Sequence, residues 1–293
     1  MNATSSVKTI NNYLSLVKFS HTIFALPFAV IGYFLAIRFT TNTFDAKLFG
    51  LIILCMVFAR SAAMAFNRYI DKHIDAANER TVIREIPSGV VKPTSALVFV
   101  ILNCLLFITT TYFINTICFY LSPIALAVVL GYSFTKRFTA LCHLILGVGL
   151  SLAPIGAYLA VTGQFNLLPL LFSFAVLFWV SGFDIIYALQ DEEFDKSQNL
   201  KSIPVVLGKK NALTLSSLLH IISAAFVIYA GVYAHFGMWY WIGTSIFTGL
   251  LYYQHTLVKP TDLSKVNIAF FTTNGIASVI FSTFVLIDLY LNK

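Results

Sequence analysis

Charged residues are scarce in this chain of 293 residues. They make up 11% of it, whereas apolar residues make up 58% and the mean hydropathy is +0.84. A soluble domain carries roughly 25% charged residues, so this chain has too little charge to cover a surface that faces water. The composition excludes a soluble globular protein and predicts an integral membrane protein that contacts the lipid bilayer.

Cysteine is also rare, and the sequence shows no pattern typical of cysteine chemistry. None of the 4 cysteines forms a CxxC pair, and the 6 histidines show no ligand spacing. All four cysteines lie in or beside apolar segments, which indicates buried thiols rather than a disulfide or a metal site. They are Cys55, Cys104, Cys118 and Cys142.

Long apolar segments recur along the whole chain. A membrane-spanning helix needs about 20 mostly apolar residues, so the sequence predicts one all-α membrane domain, residues 1–293, with about nine such helices. No small-residue cleavage site follows the first apolar run, and we expect that run to remain as the first helix. A short polar break at Asn115 and Thr116 separates the third and fourth segments; merging them would give eight helices. The predicted spans are 17–38, 48–70, 94–114, 117–134, 140–162, 167–190, 210–233, 238–257 and 266–290.

The lysines and arginines are distributed unevenly between the loops. With the N-terminus in the cytoplasm, only Arg38, Lys47 and Lys293 of the 19 basic residues fall in outer segments, and Arg60 lies within the membrane. This asymmetry satisfies the positive-inside rule, and it explains the formal charge of +7 without nucleic acid as a partner. The cytoplasmic segments hold Lys8, Lys18, Arg68, Lys72, Arg80, Arg84, Lys92, Lys136, Arg137, Lys196, Lys201, Lys209, Lys210, Lys259 and Lys265.

A first polar motif follows the second apolar segment. Asn67, Asp71 and Asp75 fall at i, i+4 and i+8, which predicts that they share one face of a helix, with Arg60 deeper on the same face. Carboxylate and amide oxygens of this kind suit magnesium, which completes its shell with waters and substrate phosphates. The alternative is a solvated helix end with surface ion pairs.

A second motif, 120 residues further along the chain, repeats the pattern of the first motif. Asp191 and Asp195 match Asp71 and Asp75 at that spacing, and Asp184 and Tyr187 precede them on the same predicted helix face. The repeat favours two halves of one site over two unrelated solvated helix ends. It also predicts an internal duplication, with pseudo-repeats at about 17–140 and 140–265 and one further helix.

The charges of the two motifs indicate the chemistry of a ligand. Four carboxylates in one cavity repel each other unless cations balance them, and magnesium would supply that balance. The neighbouring basic side chains then require an anion, and a diphosphate satisfies both sets. Because the site opens into a helix bundle in lipid, an isoprenoid diphosphate fits best. The basic residues are Arg80, Arg84, Lys136, Arg137 and Lys201.

Both motifs resemble those of the UbiA-type intramembrane prenyltransferases. NRYIDKHIDAANERTVIREIPSG (67–89) is similar to the family's NDxxDxxxD motif with its RT and RxxPSG continuation, and DIIYALQDEEFDKSQNLKS (184–202) is similar to DxxYxxxDxxxD. YSFTKR (132–137) looks like the basic loop between the fourth and fifth helices, and Arg60 stands where the family carries an arginine. One departure is visible, since Arg68 replaces the usual aspartate.

The resemblance implies a role for each matching residue. Mg²⁺ would bind Asn67, Asp71 and Asp75 in one half and Asp191 and Asp195 in the other, and these four aspartates would be catalytic. The diphosphate would be held by Arg80, Lys136, Arg137 and Lys201. Four further residues would shape the acceptor side or support the ligand-binding residues: Arg60, Arg84, Asp184 and Tyr187. Arg60 has two interpretations, neutralising nearby aspartates or binding an acceptor carboxylate.

The activity implied is transfer of a polyprenyl chain from polyprenyl diphosphate to an aromatic acid in quinone biosynthesis. KFSHTIFALPFA (18–29) and the first motif resemble bacterial members that act on 4-hydroxybenzoate, at the cytoplasmic side of the cell membrane. A dihydroxynaphthoate of the menaquinone route is an alternative acceptor. An ion-coupled transporter is a more distant alternative, because intramembrane carboxylates and repeats are typical of carriers.

Overall fold

Apolar helices make up most of the computed structural model, which describes residues 11–18 and 23–292. No strand occurs among these residues apart from one isolated bridge between Lys259 and Asp262. Residues 11–16 are helical. From residue 23 onward the α-helices are α1 (Leu26–Phe39), α2 (Ala46–Ile70), α3 (Lys72–Ala77), α4 (Pro93–Tyr112), α5 (Thr116–Thr135), α6 (Cys142–Thr162), α7 (Leu167–Ala188), α8 (Glu192–Ser197), α9 (Ile203–Tyr233), α10 (Met238–Leu257) and α11 (Asn274–Leu291). The predicted all-α membrane fold is confirmed.

Each of the nine predicted spans corresponds to a helix in the described part of the chain, although not all of these helices are equally apolar. Seven are long and apolar enough to cross a membrane. Of the other two, α1 has only 14 described residues, and α10 has 20 residues but is not among the seven. Residues 19–22, which belong to both the predicted first span and the 18–29 segment, lie outside the described residues, as do Lys8 and Lys293.

Polar residues set several helix ends where the sequence predicts them. The Asn115 side chain accepts a hydrogen bond from the Cys118 amide at 2.8 Å, and its own amide donates to the Leu159 and Ala160 carbonyls at 3.0 Å. It therefore caps α5 and ties it to α6, which is why 93–135 forms two helices rather than one. The α9 helix begins earlier than predicted, at Ile203, and bends at Gly208, whose φ of 74° favours glycine.

The helices are held together by close backbone approach and by hydrogen bonds between helices. Moving an apolar side chain from lipid into the helix bundle gives little hydrophobic driving force. Small residues and polar contacts therefore contribute more to helix association than they do in water. Ser216 of α9 donates to the Gly182 carbonyl of α7 at 2.7 Å, and Ser223 donates to Ala175 at 2.8 Å. Trp179 of α7 lies at the centre of the aromatic core, fully buried.

A π-helical turn, Ile268–Thr273, precedes α11 and shapes one wall of the cavity described below. The buried Asn274 stabilises it: its side-chain amide donates to the Ala269 and Phe270 carbonyls at 2.9 Å each, and its oxygen accepts from the Trp179 indole at 2.7 Å. A π-turn leaves backbone carbonyls without their usual helical partners, and these carbonyls need hydrogen-bond donors from side chains. The predicted internal duplication of the chain stays a prediction.

Candidate active site

The two polar motifs meet at one cavity of about 750 Å³. Residues 120 positions apart in the sequence therefore line the same space. Eleven of the thirteen predicted site residues lie on its wall: Arg60, Asn67, Asp71, Asp75, Arg80, Arg84, Lys136, Asp184, Tyr187, Asp191 and Asp195. Arg137 and Lys201 are not among the lining residues.

The first motif does not form the single continuous helix that its spacing predicts. The α2 helix ends at Ile70, Asp71 is its C-cap with φ −88° and ψ 6°, and α3 begins at Lys72. Aspartate favours such an end because its side chain makes polar contacts that compete with helix continuation. Asn67 still donates to Asp71 at 3.2 Å, so both face the cavity.

The second motif is interrupted in the same way. The α7 helix ends at Ala188, a 3₁₀ turn covers Leu189–Asp191, and α8 begins at Glu192. The tighter turn changes the helical period after Tyr187. The prediction of one helix face through Asp195 is therefore wrong in its backbone geometry, although Asp191 and Asp195 both line the cavity.

Asp71 is buried and is paired with two cations from the basic loop after α5. Arg137 Nη2 lies 2.8 Å from Asp71 Oδ1, and Lys136 Nζ lies 3.5 Å from Asp71 Oδ2. Arg137 also donates to the Ile70 carbonyl at 3.2 Å. The basic loop thus contacts the first motif directly, although the two are far apart in the sequence.

Arg80 connects the loop of the first motif to the second motif. Its Nε donates to Asp191 Oδ1 at 2.9 Å, its Nη2 donates to Asp191 Oδ2, and its Nη1 donates to the Tyr187 hydroxyl at 2.9 Å. Burial lowers the pKa of Arg80, but the hydrogen bonds to Asp191 and the nearby Tyr187 outweigh it and raise that pKa above its ordinary value. Asn78 donates to the same Asp191 oxygen at 3.2 Å.

Only one carboxylate oxygen of Asp75 has a hydrogen-bond partner among the described residues. Its Oδ1 lies 2.7 Å from Arg84 Nη1, whereas its Oδ2 is buried without a hydrogen-bond partner among the described residues. A buried carboxylate oxygen without a partner is costly, and a divalent cation would satisfy it. No three acidic, histidine or cysteine side chains in the described ranges converge on one point. The donor set is instead two pairs of aspartates with the amide of Asn67, which fits Mg²⁺ because this ion keeps several waters and substrate oxygens.

Arg137 and Lys201, the two predicted diphosphate-binding residues that do not line the cavity, lie in different positions. Arg137 contacts the site by its ion pair with Asp71. Lys201 Nζ donates to the Phe138 carbonyl at 3.2 Å, and its backbone amide donates to the Lys136 carbonyl at 2.7 Å. Lys201 therefore holds the basic loop in place in this structure.

Two arginines of α2 face the cavity without an ion pair to an acidic side chain of the described residues. Arg60 and Arg68 both line it, and the Nε atom of each is buried without a hydrogen-bond partner among the described residues. No carboxylate in the described part of the chain forms an ion pair with Arg60. A buried guanidinium requires an anion or several acceptors, so the inner part of the cavity is suited to an anionic group.

Apolar side chains and one histidine complete the wall. Met64, Leu146, Leu150 and Val180 line the cavity between the charged groups, and the Phe270 ring stacks on Tyr187 with centroids 4.2 Å apart. His143, the second residue of α6, also lines the cavity, and its Nδ1 lies 2.7 Å from Asp184 Oδ2. Sequence spacing gave no signal for this histidine, because its partner lies 41 residues away on another helix.

Comparison with known proteins agrees with this geometry. The model of the UbiA prenyltransferase family matches residues 25–276. The 4-hydroxybenzoate octaprenyltransferase of Nitrosomonas europaea is 30% identical over 246 residues, 84% of this chain and 84% of that protein. The enzyme of the same name from Coxiella burnetii is 30% identical over 236 residues, 80% of this chain and 82% of the relative.

Solved structures share the fold. A UbiA homolog from Aeropyrum pernix K1, in its apo form, superposes with a TM-score of 0.82 at 31% identity and covers 92% of this chain and 98% of its own. A UbiA homolog from Archaeoglobus fulgidus bound to GPP and Mg²⁺ gives a TM-score of 0.73 at 22% identity, covering 96% of this chain and 100% of its own.

The helical membrane fold and a cavity lined by two aspartate motifs define an intramembrane prenyltransferase. The chain belongs to the UbiA prenyltransferase family. The resemblance read from its two motifs is confirmed, and family membership sets aside the transporter interpretation.

Proposed function

We propose that this protein transfers a polyprenyl chain from polyprenyl diphosphate to an aromatic acid, with 4-hydroxybenzoate as the first candidate, and releases diphosphate. The observation that carries the proposal is a single cavity that combines the four motif carboxylates, basic side chains, an apolar wall and an arginine, Arg60, whose buried Nε has no hydrogen-bond partner among the described residues. Relatives at 30% identity that are named 4-hydroxybenzoate octaprenyltransferase support the choice of acceptor and a step in quinone biosynthesis.

Mg²⁺ is the cofactor we propose. Asn67, Asp71 and Asp75 would hold it in one half of the site, and Asp191 and Asp195 in the other. Asp75 Oδ2, which has no hydrogen-bond partner within residues 11–18 and 23–292, supports this assignment. When bound, Mg²⁺ neutralises the charge that develops on diphosphate as the carbon–oxygen bond breaks.

The basic side chains would bind the diphosphate. Lys136, Arg137 and Arg80 each contact a carboxylate now, so their side chains already lie beside the carboxylates that would hold the metal. Arg80 is the strongest candidate, since a guanidinium binds phosphate oxygens with two parallel hydrogen bonds. Lys201 would have to leave the Phe138 carbonyl to join them.

The wall of the cavity would protect the allylic cation. Phe183, Phe270 and Tyr187 line the cavity near Asp184, and aromatic faces stabilise a nearby cation. The aliphatic side chains beside them exclude water, which would otherwise attack the cation and give a prenyl alcohol.

Arg60 would bind the carboxylate of the aromatic acid. Its Nε is buried without a hydrogen-bond partner among the described residues, and its guanidinium offers the planar fork that suits a carboxylate. This assignment favours the second of its two sequence interpretations. A dihydroxynaphthoate carries a carboxylate as well, so the same arginine would serve either acceptor.

The active site would face the cytoplasm of a bacterial cell. The asymmetric distribution of lysine and arginine supports this orientation, and the residues of both motifs lie at the ends of α2 and α7 on the side predicted to be inner.

The test is an in vitro assay of the purified protein in lipid nanodiscs. One radiolabelled polyprenyl diphosphate is offered with 4-hydroxybenzoate, with 1,4-dihydroxy-2-naphthoate, or without acceptor, each with Mg²⁺ or EDTA. We expect a prenylated aromatic acid only with acceptor and Mg²⁺. Absence of a prenylated product with both acceptors would overturn the proposal.

A further inference from the structure

His143, which is buried, and Asp184, which is half-buried, form a hydrogen-bonded pair on the wall of the cavity. His143 Nδ1 lies 2.7 Å from Asp184 Oδ2, His143 is 3% exposed, and both residues line the cavity. Neither residue belongs to the four aspartates or to the basic loop. The pair is therefore separate from the groups proposed to hold metal and diphosphate.

Close packing of α6 on α7 fixes this pair. Gly147, one turn after His143, faces α7, where a Cβ atom would lie 2.5 Å from the Leu177 carbonyl oxygen. Ser181, one turn before Asp184, donates to the His143 carbonyl at 3.2 Å. The two helices approach so closely that the two side chains have little freedom to separate.

A backbone contact assigns the tautomer of His143. The Ile203 amide donates toward His143 Nε2 at 3.3 Å, so Nε2 acts as an acceptor and the proton resides on Nδ1. Nδ1–H therefore donates to Asp184. Asp184 Oδ2 accepts this hydrogen, and the contact orients the carboxylate.

One oxygen of Asp184 stays available to a ligand. Oδ2 accepts the bond from His143, whereas Oδ1 has no hydrogen-bond partner among the described residues. The Asp184 side chain is 23% exposed, and the residue borders the cavity. Its free oxygen can therefore accept a proton from a molecule bound there.

The cavity relates this oxygen to Arg60, because both residues line the same space. An aromatic acid held by Arg60 at its carboxylate would present its hydroxyl group to the cavity that Asp184 borders.

From this geometry we propose that His143 is a positioning residue that holds Asp184 as the base for the hydroxyl group of the aromatic acceptor, an inference that rests on the proposed function. Asp184 takes the hydroxyl proton as the adjacent ring carbon forms its bond to the prenyl C1. The C1–O bond breaks, and its electron pair leaves with the diphosphate. Asp184 then returns the proton to the acceptor oxygen, and the ring proton leaves with the diphosphate as the ring becomes aromatic again.

Three variants test the pair. Asp184→Asn keeps the shape but removes the base. His143→Asn keeps an N–H donor near the position of Nδ1, and His143→Leu has the same branching without the donor. We expect turnover of 4-hydroxybenzoate to fall about 100-fold in Asp184→Asn and about tenfold in His143→Leu. His143→Asn should stay within about threefold of the wild type, because the donor remains.

Turnover of a second acceptor shows whether Asp184 acts as a base or has only a structural role. Ring-fluorinated 4-hydroxybenzoate, with fluorine beside the hydroxyl group, has a more acidic phenol and needs a base less. The wild-type to Asp184→Asn ratio of kcat should therefore shrink at least severalfold with this acceptor, and KM for the prenyl diphosphate should not change. Both acceptors are measured on one preparation, so any misfolded fraction cancels from the ratio.

The possible results are distinct. Equal ratios with both acceptors, or equal turnover of His143→Leu and His143→Asn, would overturn this inference while the proposed function stands. If the wild type prenylates neither acceptor, the proposed function fails, and the inference fails with it.

Discussion

Arg80 and Asp191, 111 residues apart, are joined by two hydrogen bonds between one guanidinium and one carboxylate. This contact links the loop of the first motif to the end of α7, and Tyr187 adds a third hydrogen bond from the same guanidinium. The two motifs are therefore one site at the level of side-chain contacts.

Arg80→Lys should impair use of the prenyl donor. Lysine keeps the charge but cannot bond Asp191 twice and Tyr187 once. We expect kcat/KM for polyprenyl diphosphate to fall at least tenfold, about 1.4 kcal/mol. Steady-state kinetics measure this, with Lys196→Ala, an exposed cation near the site, as the control that should retain activity. Equal losses in the two variants would point to a diffuse charge effect.

Asp71→Asn and Asp191→Asn should abolish turnover without unfolding the protein. Asparagine keeps the volume and some hydrogen bonds but loses the charge that binds metal. Product formation is compared with the melting temperature of each variant in nanodiscs. The matched control is Asp262→Asn, because Asp262 is an exposed carboxylate outside the cavity. Full activity in both cavity variants would contradict their assignment as ligands.

Mg²⁺ and inorganic diphosphate together should stabilise the wild type. Ligands that bind only the folded state raise the melting temperature as their concentration rises. Asp75→Asn should remove most of this shift, because it changes the carboxylate whose Oδ2 lacks a partner. The readout is thermal unfolding and needs no turnover. A similar shift in wild type and variant would place the metal elsewhere.

Arg60→Leu should weaken binding of the acceptor and leave the donor unaffected. Loss of a charged hydrogen-bonding partner for the carboxylate should raise the acceptor KM about tenfold or more. The methyl ester of 4-hydroxybenzoate should discriminate little between wild type and variant, since it has no carboxylate. If acid and ester respond alike to the substitution, Arg60 does not bind the carboxylate.

Asn274→Ala should destabilise the protein. It leaves the buried Trp179 indole without an acceptor and two π-turn carbonyls without a donor, at a cost of about 1–3 kcal/mol. Urea unfolding in detergent measures the loss. Asn211→Ala, at an exposed position of α9, should cost less than about 0.5 kcal/mol. Turnover should fall as well, because Phe270 stacks on Tyr187 beside the site.

Two local signals in the sequence predict which aspartates line the cavity. Hydropathy places Asp71 and Asp191 at the ends of apolar segments, and the helical period places Asn67 with Asp71 on one side. Both signals are local. They sufficed to predict that the two motifs are two halves of one site.

Other features depend on contacts that no local pattern contains. The helix break at Asp71 accompanies its ion pairs with Arg137 and Lys136, which come from another helix end. The direction of the Lys201 side chain toward Phe138 is likewise set by a neighbouring loop. The His143 partner is fixed by the close approach of α6 and α7 at Gly147. Sequence spacing could predict none of these.

The ion pairs of the cavity have a consequence for how a highly charged molecule enters a membrane protein. The cavity wall carries six acidic side chains, Asp71, Asp75, Glu85, Asp184, Asp191 and Asp195, and six basic ones, Lys18, Arg60, Arg68, Arg80, Arg84 and Lys136. A metal–phosphate complex that exchanges partners with these pairs adds little net charge to a region of low dielectric constant. Entry is then close to electroneutral, so the bilayer imposes only a small electrostatic barrier on loading and on departure of the leaving group.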